Sequence, residues 1–255
     1  MDFNPEFGKS FGKLSELYDA VRPSYPKELF SKVIEFTNLS QSSKILEVGC
    51  GSGQATLPFA KLGCGITALD ISANMITLAR RKTSTFSNVE YVTFSFEAAI
   101  LPSNYFDMIF SGTAFHWVDP AMAHIKVARL LKREGVLALF WYNFEQVGLN
   151  PPVASLFREY GYDSKTATGS KQYVLSEKQR IEDTLLFEPV EVHNFPVSLT
   201  YSKVDYLKFV STFFWVSTMP FDQKRKFFTE LEKLLILHDA VTFFYPVALL
   251  LTKKK

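Results

Sequence analysis

The sequence predicts an α/β fold: a doubly wound, mostly parallel sheet of seven strands, with helices ahead of it and helical insertions near the C-terminus. Three observations predict it. Between Lys44 and Tyr142, five short apolar runs alternate with helical patterns. The runs are apolar almost throughout, as strands covered on both faces are. Two further strand-like runs, 190–199 and 240–251, follow a helical stretch and bring the count to seven.

Composition fits a globular chain of 255 residues, with 47% hydrophobic and 21% charged residues. A formal net charge of +2 calls for no nucleic-acid partner, and Lys253–Lys255 reads as a solvated tail. Cys50 and Cys64 give neither a disulfide framework nor a metal-ligand spacing, so no metal is expected and both thiols read as reduced. The first ten residues carry Asp2, Pro5 and Glu6 rather than a basic-then-apolar leader. The longest apolar run, 241–251, is too short to span a bilayer. A soluble, cytoplasmic protein without a membrane partner is expected, and nothing specifies its oligomeric state. The 25 Phe residues imply an aromatic-rich core, an aromatic-lined pocket, or both.

The elements follow in order. Phe11, Leu14, Leu17 and Tyr18 recur at helical spacing until Arg22-Pro23-Ser24-Tyr25-Pro26 breaks the helix, and Leu29, Phe30, Val33 and Ile34 mark a second. Strands are expected at Lys44–Val48, Gly65–Asp70, 89–94, 106–111 and 135–142. Helices are expected at 54–62, Ala73–Lys82 and 120–131, the last capped by Asp119 with Pro120 in its first position. Residues 143–152 read as a loop, 153–160 as a short helix, 164–176 as polar and flexible, and 178–187 as helical. Two helices come next: 203–216, with a capping box from Ser202 to Asp205, and 223–238 after Asp222. One domain is expected over 1–255. It divides into a helical cap (1–43), a cofactor-binding core (44–142), helical insertions roofing the substrate (143–238) and a final strand (239–255).

The chemistry centres on Ile45-Leu46-Glu47-Val48-Gly49-Cys50-Gly51-Ser52-Gly53-Gln54. An apolar strand enters, three glycines turn the chain, and a helix leaves, so a ligand can approach the backbone of Gly49, Gly51 and Gly53 without meeting a Cβ. Dinucleotide enzymes use G-x-G-x-x-G, but here the spacing is G-x-G-x-G and Gln54 stands at the third glycine's place. Glu47, two residues before the first glycine, is awkward beside a pyrophosphate and suits a ligand with a cationic amine. Both departures favour an amino-acid nucleoside over a dinucleotide. Asp70, about twenty residues on at the end of the second strand, can accept from both ribose hydroxyls; alone, it reads equally well as a helix cap.

These stretches resemble the class I, Rossmann-like, S-adenosylmethionine-dependent methyltransferases. Within them, the resemblance is to the small-molecule group (type 11) that includes ubiquinone/menaquinone-biosynthesis and trans-aconitate methyltransferases. The matching residues are Ile45–Gly53, Ala68-Leu69-Asp70-Ile71-Ser72 with Met75, Leu101-Pro102 with Phe106-Asp107-Met108-Ile109, and Ala114-Phe115-His116-Trp117. Tyr18-Asp19-Ala20-Val21-Arg22-Pro23-Ser24-Tyr25-Pro26 is similar to the group's N-terminal motif, so the resemblance covers about 18–142. It implies S-adenosylmethionine as cofactor and S-adenosylhomocysteine as product. It further implies backbone contacts from Gly49 and Gly51 to the amino-acid end, Asp70 on the ribose, and Ile71 packing on adenine. Where the family often has an acidic residue reading the adenine amino group, this chain has Ser95, whose hydroxyl can still accept, followed by Phe96, whose N–H can meet an adenine nitrogen.

Ligands of open parallel sheets bind outside the carboxyl ends of the strands, so Thr113–Trp117 should lie beside the reactive methyl. Methyl transfer is an in-line displacement, accelerated largely by positioning the nucleophile. His116 is the leading candidate for a general base, the alternative being a His-Trp pair that packs the cavity and orients the loop. Trp117, Phe115 and Tyr18 either line the pocket, with ring faces toward a cationic sulfonium, or are core. Arg22 is read as pairing with the cofactor carboxylate or an anionic acceptor, or as a surface ion pair. The expected partner is a small-molecule methyl acceptor. The alternatives are an NAD(P)-dependent oxidoreductase, disfavoured by the missing third glycine, and a non-catalytic protein that binds S-adenosylmethionine.

Overall fold

The computed structural model describes residues 14–143, 151–162 and 167–255. Phe11, the first ten residues and part of the expected loops at 143–152 and 164–176 lie outside them. The described strands form one sheet of seven: β1 (Lys44–Val48), β2 (Gly65–Asp70), β3 (Val89–Thr93), β4 (Phe106–Gly112), β5 (Leu131–Tyr142), β6 (Glu191–Ser202) and β7 (Ala240–Lys253). Their order is β3-β2-β1-β4-β5-β7-β6. The first five strands pair in parallel, and β7 runs antiparallel to both β5 and β6. The predicted seven-stranded, mostly parallel sheet is the observed one.

Strand residues alternate between two cores because successive side chains leave opposite faces. On one face Ile45, Ile66, Met108, Phe110 and Phe140 pack with Leu29 and Val33 of α2 (Lys27–Thr37), Phe59 of α3 (Thr56–Ala60) and Ala79 of α4 (Ala73–Lys82). On the other, Leu46, Leu69, Ile109, Leu139 and Trp141 meet Val127 of α5 (Ala123–Leu130) and Ile181 of α7 (Lys171–Asp183). Many of these side chains are fully buried, each worth roughly 1.5–3 kcal/mol relative to exposure. Wrapping both faces fixes a switch point between β1 and β4, where the strand order reverses.

Several boundaries differ from the sequence reading, each for a local reason. Helix α7 begins at Lys171, inside the stretch read as flexible, because the Ser170 hydroxyl accepts from Tyr173 N–H and Val174 and Ile181 bury one face. Asp119 caps a turn before α5 rather than the helix itself: its carbonyl accepts from Met122 and Ala123 and its carboxylate from Ala121. The helix expected over 203–216 is two, α8 (Lys203–Ser211) and α9 (Phe214–Ser217), broken where the Phe213 backbone turns extended. The Ser202 cap of α8 is as expected. The last helix, α10 (Phe221–Leu234), starts after Pro220, so Asp222 lies in its first turn. Two more helices, α1 (Ser15–Val21) and α6 (Pro151–Glu159), complete the set.

The C-terminal lysines are not a free tail. Lys254 donates to Asn104 Oδ1 and the Leu131 carbonyl, and its backbone bridges Phe187. No helix among the described residues is long and apolar enough to cross a membrane. No described group of His, Cys, Asp and Glu could hold a metal ion.

Candidate active site

A cavity opens at the carboxyl ends of β1, β2 and β4, where the switch point places it. Its floor is the glycine turn. Gly49 has φ +73° and a Cβ there would collide with that of Ala114; Gly51 has φ +52° and a Cβ there would meet nothing within 4 Å. The first glycine therefore lets the β4 loop close against the turn, and the second leaves backbone facing open space. Gly49→Ala is expected to lower stability by about 1–3 kcal/mol through the overlap and the left-handed φ. Denaturant unfolding checks this, an unchanged midpoint counting against it.

Glu47 lies on β1 at 1% exposure. The Thr56 hydroxyl donates to its Oε2 at 2.5 Å, no described residue donates to Oε1, and the carboxylate lines the cavity. Burial pushes its pKa up to about 8, the Thr56 bond pulling down and the Asp70 charge adding to the rise. Asp70, at the end of β2, accepts from Gly51 N–H (Oδ2) and Ser72 N–H (Oδ1), both at 2.8 Å. Burial holds its pKa above the usual value against those N–H bonds. Each oxygen keeps a lone pair for a hydroxyl, so Asp70 shapes the turn and can also receive a ribose.

Beyond Asp70 the wall turns apolar, with Ile71, Met75, Phe94, Phe96 and Val118, and Ser95 and Glu97 between them. The other wall carries Tyr18, Tyr25, Thr113 and Trp117. Thr113 is left-handed at φ +53°, an uncommon conformation for a β-branched residue. Its N–H donates to the Phe140 carbonyl at 2.8 Å, and its hydroxyl lies 2.9 Å from that of Tyr25.

Four expected residues do not line the cavity. Gly53 packs against Ala79 of α4, where a Cβ would sit 3.1 Å from Ala79 atoms. Phe115 is buried in the core between Phe96 and His124. Arg22 donates from Nε and Nη2 to the Thr212 hydroxyl and carbonyl, with its guanidinium over Tyr18, Phe209 and Phe213. It thereby ties α1 to α8. The His116 ring lies 4.7 Å from that of Trp117, tilted 43° to it, and its Nδ1 is buried without a hydrogen-bond partner among the described residues. Burial lowers its pKa to about 4 against the opposing charge of Glu177, so the ring is neutral at pH 7.

The structure adds Tyr25 to the wall. Its ring is fixed by stacking on Tyr142 and by edge contact with Phe140. It fits only because Gly112 has no Cβ; one would stand 2.8 Å from its hydroxyl. The signal for Tyr25 was its place in the Arg-Pro-Ser-Tyr-Pro stretch, read above chiefly as a helix breaker. A second addition is Asp19, which accepts from Ser52 and Lys82 at 2.5 Å and holds α1 over the glycine turn.

The residues fit S-adenosylmethionine, with open backbone at Gly51, a carboxylate at either side and an apolar slot beyond. Residues 46–139 match the methyltransferase domain family. Over that segment the chain is similar to a methyltransferase domain, carried on a Rossmann-like sheet. An uncharacterized methyltransferase of Mycobacterium tuberculosis is 31% identical over 132 residues, 52% of this chain and 51% of that protein. The chain spans between 51% and 64% of the length of curated relatives such as these. Among solved structures, the YcgJ protein of Bacillus subtilis shares 18% identity at TM-score 0.61, over 90% of this chain and 99% of that one. A Haemonchus contortus phosphoethanolamine N-methyltransferase, solved with phosphomonomethylethanolamine and S-adenosylhomocysteine, shares 16% at TM-score 0.59, over 97% of this chain and 60% of that one. At these identities the structural likeness shows the fold alone.

Proposed function

We propose that the protein transfers a methyl group from S-adenosylmethionine to a small, partly apolar organic acceptor. The bound cofactor supplies a methyl on a sulfonium, open to in-line displacement by a nucleophile's lone pair. The observation that carries the reading is the cavity wall opposite Asp70. Tyr18, Tyr25, Thr113 and Trp117 line it at the end of β4, with aromatic rings and three hydroxyls and no cluster of basic side chains among the described lining residues. Such a wall suits a small apolar body with a polar handle. The described residues between 143 and 238 serve as its roof, a role supported by the ring of Phe214 in α9 lying 5.2 Å from that of Trp117. Within this reading Glu47 faces the cofactor's amine, Gly49 and Gly51 its amino-acid end, Asp70 its ribose, and Ile71 and Met75 its adenine. The protein acts without a membrane or nucleic-acid partner, in the cytoplasm.

His116 supports Trp117 by packing and takes no proton. Its burial and its low pKa favour this over the base. His116→Gln is expected to leave the shape of the pH–rate profile between pH 6 and 8 unchanged, and loss of a limb in that range would restore the base. Turnover is tested by following S-adenosylhomocysteine formation with a panel of small alcohols, phenols, amines and carboxylic acids. Product with at least one class is expected. Binding of the cofactor with no product from any class would favour the non-catalytic alternative.

A further inference from the structure

Lys126 on α5 is 6% exposed, yet its ammonium forms no ion pair among the described residues. Its ammonium donates instead to three carbonyls of one loop: Phe96 at 2.6 Å, Glu97 at 3.0 Å and Ala99 at 2.8 Å. It also sits 5.1 Å from the centre of the Phe96 ring. The loop is closed further by Ala99 N–H on the Ser95 carbonyl and Ala98 N–H on the Ser95 hydroxyl. Glu97 Oε1 accepts from Asp119 N–H. Every one of these bonds fixes the turn that follows β3, and Ser95, Phe96 and Glu97 line the cavity.

The backbone N–H groups of Phe96 and Glu97 meet no acceptor among the described residues. In a trans peptide the N–H points opposite to the carbonyl of the preceding residue. The Phe96 carbonyl is drawn to the buried ammonium, so the Glu97 N–H is turned away from it. The Ser95 carbonyl is held by Ala99, which turns the Phe96 N–H the same way. A cation on their carbonyls also polarises these amides into better donors. Unpaired N–H groups in a partly apolar cleft are costly unless a ligand accepts from them.

We propose that Lys126 is a positioning residue for adenine recognition: it holds the 95–99 loop so that one of its two unpaired N–H groups, that of Phe96 or Glu97, donates to the ring-nitrogen acceptor on the base's pairing edge, N1. The inference rests on the reading that Asp70 holds the ribose, which directs the base toward this loop. It also accounts for how the chain reads adenine with Ser95 where a carboxylate is common: recognition shifts to a donor aimed at a ring nitrogen.

A thermodynamic cycle tests it on the full chain, with S-adenosylhomocysteine and its 1-deazaadenosyl analogue, in which N1 is replaced by C–H. The wild type is expected to prefer the natural nucleoside by about ten-fold or more. Lys126→Met should cut that preference to within about three-fold. Lys126→Gln, whose amide can still donate to two of the carbonyls and so better keeps the fold, should fall between. A purely structural lysine would weaken both ligands equally and leave the ratio unchanged, which would overturn the proposal. Equal binding of the two ligands by the wild type would overturn it as well, whatever the variants do. Failure of the wild type to bind either ligand would instead strike the cofactor reading on which the inference rests.

Discussion

Replacing Asp70 with Ala is expected to weaken S-adenosylhomocysteine binding by at least about 100-fold, because two hydroxyl bonds to a charged acceptor are worth roughly 1.5–3 kcal/mol each. The carboxylate also accepts from Gly51 and Ser72 N–H, so the variant loses part of the turn's shape with its ribose acceptor. The freed Gly51 N–H lines a cavity that water can enter, which limits the cost to folding beside the cost to binding. Calorimetric titration measures the binding, and thermal unfolding separates it from stability. An unchanged dissociation constant would remove Asp70 from the ribose site.

The second large effect concerns Glu47 and pH. Its pKa stands at about 8 against an ordinary 4.5, so between those values the folded protein holds a proton that the unfolded chain has released. Stability therefore falls as pH rises through that window, by roughly 4–5 kcal/mol across its full width. Glu47→Gln, neutral throughout, should remove this slope, as denaturant unfolding from pH 5 to pH 9 would register. Binding couples to the same proton. If the cofactor's cationic amine meets Glu47, the carboxyl ionises on binding, and close to one proton is released per ligand at pH 7. Release should fade toward pH 9. Titrations in buffers of different ionisation enthalpy count that proton; heats that do not vary with buffer would separate Glu47 from the amine.

The centre of the sheet was legible because β1, β4 and β5 are buried on both faces and carry apolar runs that need no partner to be read. Strand Lys44–Val48 and the turn after it declare themselves together: the apolar run, then three glycines at a spacing that few ligands suit. The start of helix α7 was placed too late because its one decisive residue, the Ser170 cap, sits among other small polar residues. The site was legible where one segment supplies the geometry, as at Glu47, Gly51 and Asp70. It was not legible where distant segments meet. Tyr25 reaches the cavity through the notch at Gly112, and Arg22 is taken up by Thr212, 190 residues away. Lys126 looks like an ordinary helix lysine until the loop after β3 folds onto it. Of the run Phe115-His116-Trp117 only Trp117 lines the cavity, because a 3₁₀ turn (Phe115–Trp117) sends successive side chains in different directions.

The central claim is that this cavity binds an amino-acid nucleoside and not a dinucleotide. Calorimetric titration of the wild-type protein with S-adenosylhomocysteine and with NAD tests it directly. One-to-one binding of S-adenosylhomocysteine, with no measurable binding of NAD, is the predicted result. Tighter binding of NAD, or no heat with S-adenosylhomocysteine, would contradict it.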